Sequence, residues 1–408
     1  MLNPYEIRKD FPIFKRKIDG NQLIYFDNAA SSQKPIQVLE AVKDFYETSY
    51  ANVHRGVHTL SQEASELYEE AHREVAKFIS ADSMEEIIFV RGTTEAINLV
   101  TYTFGLRELT SQDEIIVTLM DHHSNIVPWE NLSRIKRFRI RYVGLTKEGL
   151  LDYKAFNEAI NSRTRMVCVP HVSNVTGIIN DLKKIVKSAH DYEALVLVDG
   201  AQSVPHMPVD VKELDVDFLA FSGHKMLAPT GIGVLYCKKQ LLENMEPFHG
   251  GGSMIKQVKY DSKSERCIIE WNDLPWKFEA GTPNISGGIG LMEAVKYLRK
   301  IGMENIEQHE RELTRYALEE FNELEKIQIV GSKDVSIKSG IIPFLVENFD
   351  SHDIALFLDN FGIMVRSGFH CAQPLHQQLG IRHTVRASFY LYNTKEEIDK
   401  LIETLKQL

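Results

Sequence analysis

From residue 86 onward, short apolar runs alternate with stretches whose apolar positions recur at helical spacing. Runs at 86–90, 114–119, 140–143, 166–170 and 194–198 have the length of strands, and helical patterns such as 94–104 and 182–190 separate them. This rhythm predicts an α/β fold whose larger part is a mostly parallel, doubly wound sheet. Ligands of such sheets bind beyond the carboxyl ends of the strands, so the residues that follow each run carry the information. Two further apolar runs, 218–221 and 234–236, flank Ser222-Gly223-His224-Lys225 and place Lys225 on a tight loop between buried strands.

The flanking regions read differently. Before residue 86 the pattern predicts a helix over 4–9, a short strand at 23–26, a polar loop over 52–59 and a half-exposed helix over 61–78. After residue 300 a charged helical pattern spans 304–326, followed by strands near 327–330 and 340–346 and a helix over 351–361. Thr394-Lys395-Glu396-Glu397 then fits a capping box that opens a final helix. A chain of 408 residues exceeds what one core usually serves. We therefore expect a large domain over 25–299 and a smaller α+β domain over 300–408, with the N-terminal segment 1–24 packed against the latter.

Composition narrows the function classes. With 43% hydrophobic and 25% charged residues the chain is an ordinary globular one rather than disordered. Its 57 acidic against 47 basic residues give a formal charge of −10 and no basic face, which argues against nucleic acid. No apolar run approaches a membrane span and none resembles a signal peptide, so no membrane association and a cytoplasmic location are expected. The four cysteines, Cys168, Cys237, Cys267 and Cys371, lack CxxC spacing and indicate neither a zinc knuckle nor a disulfide framework.

Several residues after the predicted strands carry candidate chemistry. Burial of Lys225 would lower its pKa and make it a Schiff-base nucleophile; a solvated surface lysine is the ordinary alternative. Asp199 ends the apolar run 194–198, where a buried carboxylate calls for a cationic partner unless it caps the next helix. Gly92-Thr93-Thr94 opens a helix whose N-terminus suits either a phosphate or a simple cap. Lysine, aspartate and Thr94 together match what pyridoxal phosphate requires of a site: an amine, an acid and a phosphate cup. The adjacent His122 and His123 invite a metal, but they have no complete ligand set near them, and an imidazole stacked on a planar cofactor fits better. Cys371 follows His370 and lies near Arg366 in a Gly- and Pro-containing loop, a setting that favours thiolate. Arg386, inside an apolar segment, offers a bidentate fork for a substrate carboxylate or for an internal salt bridge.

These stretches, taken in order with Tyr25-Phe26-Asp27-Asn28-Ala29-Ala30, His54-Arg55-Gly56-Val57-His58, Val198-Asp199-Gly200-Ala201-Gln202 and Phe278-Glu279-Ala280-Gly281-Thr282-Pro283, resemble the SufS-type cysteine desulfurases. Those belong to the class V branch of the PLP-dependent transferase fold type I, and the likeness covers almost the whole chain. The resemblance implies that Lys225 holds pyridoxal 5'-phosphate covalently and later removes the substrate α-proton. It assigns Asp199 to the pyridine nitrogen, Gln202 to the ring hydroxyl, and His122 to stacking and acid/base work. Thr94, Ser222 and His224 would bind the phosphate, with Thr282 from the partner subunit of a homodimer. Arg386 and Asn174 would hold the substrate carboxylate, with Arg366 as a helper. Cys371 would take the sulfur of L-cysteine as a persulfide, releasing L-alanine, and pass it to a SufE- or SufU-type carrier or a Suf scaffold for iron–sulfur assembly. L-selenocysteine lyase activity, an aminotransferase that does not need Cys371, and a non-catalytic assembly scaffold are the alternatives. Asp121, Ala228 and Ser253 depart from the residues usual in that family.

Overall fold

The computed structural model describes residues 2–408. Its largest sheet has seven strands in the order Ile87–Val90, Gly233–Cys237, Phe218–Ser222, Leu195–Asp199, Thr164–Pro170, Glu114–Thr118 and Arg139–Val143. All neighbours are parallel except Gly233–Cys237, which runs antiparallel to both of its partners. The expected doubly wound sheet is present, and its two faces separate by residue parity. Val167, Val196, Val198, Leu219 and Val234 pack into one apolar cluster. Cys168, Leu197, Phe218, Ala220 and Leu235 pack into the other. Burial on both faces explains why these strands read as continuous apolar runs instead of alternating ones.

The antiparallel strand depends on a glycine. A Cβ on Gly233 would lie 2.5 Å from Gly92 Cα and 2.7 Å from Phe221 O, so only glycine lets this strand approach the loop that opens the helix Thr93–Val100. That helix is shorter than the pattern 94–104 predicts. It widens into a π-helical turn, Thr101–Gly105, where Gly105 closes on Trp129 and Leu132.

A third apolar cluster lies around the four-stranded antiparallel sheet Ile327–Ile329, Ile341–Val346, Thr384–Ser388 and Arg366–Gly368. Leu313, Leu358 and Leu401, from the helices Met303–Asn322, Ser351–Asp359 and Lys395–Leu405, complete it. The predicted capping box at Thr394 and Glu397 is formed. Ile24 and Phe26 also enter this cluster, and the strand Ile24–Tyr25 pairs in parallel with Ile363–Met364. Asp27 then bridges to Ser388, which brings the segment 27–32 from the C-terminal sheet to the ends of the large one.

Among the elements that the pattern does not reveal are two helices and a hairpin. The helices Ile36–Thr48 and Ile285–Ile301 pack together against the body. The second is buried nearly all round and contains Gly287, Gly288 and Gly290, which obscures an amphipathic period. The hairpin Ile255–Asp261 with Arg266–Trp271 exposes Val258, Tyr260, Ile268 and Ile269, so no buried face imposes alternation on it. No helix among the described residues is long and apolar enough to cross a membrane.

Candidate active site

The carboxyl ends of the central strands converge on a cavity of about 250 Å³, sized for a small molecule rather than a polymer. Of the residues singled out in the sequence, Lys225, Asp199, Gln202, His122, Thr94, Ser222, His224, Asn174, Arg366, Arg386 and Cys371 all line it. Thr282 does not. It lines a separate cavity with Arg91, His249 and Asn284.

Lys225 ends a 3-10 turn, Gly223–Lys225, immediately after the strand Phe218–Ser222. The turn is pinned through the carbonyl of His224. It accepts from Ser32 N at 3.0 Å, Ser31 Oγ at 3.1 Å, Ser32 Oγ at 3.2 Å and Lys34 Nζ at 2.9 Å. Lys34 has no carboxylate among its hydrogen-bond partners, and burial brings its pKa down to about 8. Nothing in the local sequence announced this role, because the two segments are far apart in the chain.

Burial also lowers the Lys225 amine to about 8, although Asp199 pulls it back up. Asp199 closes its strand, accepts from Ala201 N at 2.9 Å, and is raised by burial against the opposing charge of Lys225. His122 is held neutral, at about 4, by burial and then by Lys225. Its Nδ1 accepts the Ser124 N–H at 3.0 Å, which leaves the ring proton on Nε2. Asp121 beneath it is fully buried and pushed up to about 8, and it accepts from the Thr118 amide and hydroxyl and from Asn125.

At the helix N-terminus, Thr94 and Ser124 hydroxyls meet at 2.7 Å, while Thr93 donates its N–H to Ser222 Oγ at 2.8 Å. The buried Thr93, which the sequence marks only as part of the helix opening, therefore orients Ser222. Gln202 donates to Ala29 O at 2.7 Å and keeps Oε1 buried without a partner.

Arg386 is buried, donates from Nη1 to Asn174 O at 2.8 Å, and has an unpaired Nε. Burial lowers its pKa to about 10, so it stays cationic at neutral pH. Arg366 is committed to Asp27, with Nε at 3.0 and 3.1 Å and Nη2 at 2.7 Å from the carboxylate oxygens. The Asn174 amide donates to His370 O at 2.7 Å.

That last bond belongs to a set which holds the cysteine loop. His370 and Cys371 have φ of 50° and 57°, consecutive left-handed conformations that side chains rarely adopt. His123 restrains them twice. Its N–H donates to Cys371 O at 2.8 Å, and its Nε2 accepts the Gln373 N–H at 3.1 Å. The two adjacent histidines thus divide their tasks between cavity and loop, and neither joins a metal-ligand group. The one such group among the described residues is Asp350, His352 and His383; there Asp350 caps the His352 N–H and His352 meets Ser367 Oγ.

One expectation needs correction. His370 does not supply positive charge to Cys371: it is buried against Thr384 Oγ1 at 2.8 Å, and its pKa falls to about 2, chiefly by burial. The charges that interact with Cys371 are those of Lys225, Arg366 and Arg386. Cys371 itself is exposed, whereas Cys168 and Cys237 are buried with thiols raised well above their ordinary range by desolvation.

Residues 24–401 match the family described as aminotransferase class-V. The chain is 49% identical to a protein named "probable cysteine desulfurase" from Halalkalibacterium halodurans, covering 100% of this chain and 98% of the relative. It is 49% identical to a protein of the same name from Staphylococcus epidermidis, covering 98% and 95%. Among solved structures, the apo cysteine desulfurase of Thermococcus onnurineus NA1 superposes with a TM-score of 0.94 at 40% identity, covering 100% and 98% of the two chains. The cysteine desulfurase CsdA of Escherichia coli gives 0.90 at 37% identity over the same shares. By this likeness over its full length, the chain belongs to the aminotransferase class-V family, among the cysteine desulfurases.

Proposed function

We propose that this chain is a pyridoxal-phosphate-dependent cysteine desulfurase that converts L-cysteine to L-alanine and retains the sulfur as a persulfide on Cys371. The observation that carries the reading is the meeting, in one cavity, of Lys225 and Asp199 with Cys371 on its restrained loop. A scaffold would need none of the three for packing.

The residues present fit the cofactor. Lys225 offers an amine that loses its proton near pH 8, Asp199 an acid for the ring nitrogen, and Gln202 an unmet buried Oε1. Thr94, Ser222 and His224 would hold the phosphate at the helix N-terminus, where backbone N–H groups and the helix dipole favour an anion. Thr282 would join them from the partner chain of a homodimer. When bound, pyridoxal phosphate supplies an electron sink that acidifies the α-proton of cysteine.

Arg386 anchors the substrate carboxylate through its free Nε, with Asn174 beside it. Lys225 Nζ then removes the α-proton, which its lowered basicity permits near neutral pH. The Cys371 thiolate attacks the substrate sulfur. An S–S bond forms, the Cβ–S bond breaks, and its electron pair stays with the three-carbon skeleton, which is protonated to alanine. His122, neutral and with its proton on Nε2, would exchange a proton in that step. The exposure of Cys371 allows a protein acceptor of the SufE or SufU type, or a Suf scaffold, to collect the sulfur in the cytoplasm.

The test is mass analysis of the cofactor-loaded protein after L-cysteine, with alanine assayed in parallel. One added sulfur on the Cys371 peptide, with both products lost in Cys371→Ala, is the expected result. Equal alanine from the variant would show that Cys371 is not the sulfur acceptor.

A further inference from the structure

We propose that Asp27 is a positioning residue that gives Arg366 and Arg386 different tasks, closing the first and leaving the second free for a single substrate carboxylate. The inference rests on the amino-acid substrate proposed above. Arg366 and Arg386 are direct partners on adjacent antiparallel strands, a relation in which like charges repel. The carboxylate that separates them arrives from the other end of the chain, carried by the Asp27–Ser388 bridge and the strand pairing just before it.

Asp27 does not treat the two arginines alike. It takes Arg366 through three close contacts, at 3.0, 3.1 and 2.7 Å, but its Oδ1 lies 3.5 Å from Arg386 Nη2. Arg386 is therefore near enough to be held electrostatically, without having its donors used up. Nη1 is spent on Asn174 O, and Nε is buried with no partner while Arg386 lines the cavity. A buried cationic N–H without an acceptor is unfavourable, and an entering carboxylate relieves it. Two guanidiniums and one carboxylate sum to one net positive charge, which one α-carboxylate neutralises.

This arrangement predicts a reciprocal effect. Without the Asp27 carboxylate, the two cations face each other unscreened and Arg386 loses its set orientation. Without the Arg366 guanidinium, Asp27 turns fully to Arg386 and competes with the substrate. Removing both leaves Arg386 with neither a repelling neighbour nor an internal competitor.

The experiment compares Asp27→Asn, Arg366→Ala and the double variant as cofactor-loaded enzymes, reading KM and kcat for L-cysteine and the calorimetric Kd of L-alanine. Each single change is expected to raise KM and the alanine Kd about tenfold with kcat altered less than about threefold, and the double variant to return within about threefold of wild type. Single effects that multiply in the double variant, or an Asp27→Asn protein with lowered melting temperature and unchanged KM, would overturn the assignment. If Asp27→Asn does not fold, an unchanged KM in Arg366→Ala overturns it equally, and a raised KM and alanine Kd there support it. A wild type that makes no alanine from L-cysteine would sink the desulfurase reading instead, and the L-alanine dissociation constants would still decide the role of Asp27.

Discussion

Lys225 shows how a side chain acquires chemistry from two opposed effects. Burial removes water from the ammonium and lowers its pKa to about 8, while the Asp199 charge opposes that fall. An unfolded lysine stays protonated up to about 10.4. Between those values the unfolded chain holds the extra proton, so folding stability increases with pH across that interval; the cost of burying Lys225 is complete below about 8 and fades as the pH rises toward about 10.4. In cofactor-free protein, acylation of Lys225 followed by peptide mass analysis should rise steeply to about pH 8 and then level off. In Asp199→Asn the inflection should move to lower pH, because the charge that props up the ammonium is gone. A wild-type inflection like that of an exposed lysine would contradict the burial account. Asp121, also raised to about 8 by burial, has no cation among the causes of its shift and is satisfied by Thr118 and Asn125; it braces the loop instead of serving the cofactor.

The elements around the cavity are held by backbone-directed contacts whose partners lie on different segments. The Cys371 loop keeps two consecutive left-handed residues, each costing on the order of 1–3 kcal/mol, and His123 supplies two of its restraints. Replacing His123 by alanine removes the acceptor for Gln373 N–H, a loss of about 1 kcal/mol, while the His123 N–H bond to Cys371 O survives. The loop should then sample other conformations. We expect persulfide formation in a rapid-quench burst to slow about fivefold to tenfold, with the affinity for pyridoxal phosphate unchanged. Weakened cofactor binding with an unaltered burst would place His123 in the cavity's service rather than the loop's.

At the scale of the whole molecule, the position of Thr282 is informative. It stands in its own cavity with Arg91, His249 and Asn284, away from the Lys225 pocket of the same chain. In the homodimer proposed above, Thr282 would reach the phosphate site of the other chain. Light scattering should give a mass of two chains. Thr282→Ala should weaken cofactor retention, and mixing it with Lys225→Ala chains should recover one wild-type site per mixed dimer. A monodisperse single chain with full activity would refute the shared site.

The sequence by itself determined the sheet, because strands buried on both faces must be continuously apolar; it also put Asp199 directly after one apolar run and Lys225 on the loop after another, where the structure ends a strand on Asp199 and a 3-10 turn on Lys225. It marked Cys371 and Arg386 through residue types that are out of place in their local context. It did not reveal the hairpin from 255 to 271, which buries no face, or the clamp of Lys34 on His224. Nor did it separate the roles of His122 and His123, or show that His370 is neutral and that Asp27 divides two arginines. Periodicity records which face of an element meets the core, so local elements are legible along the chain. Charge state, unmet donors and loop strain depend on which distant groups exclude water from a given atom, and only the tertiary structure decides that.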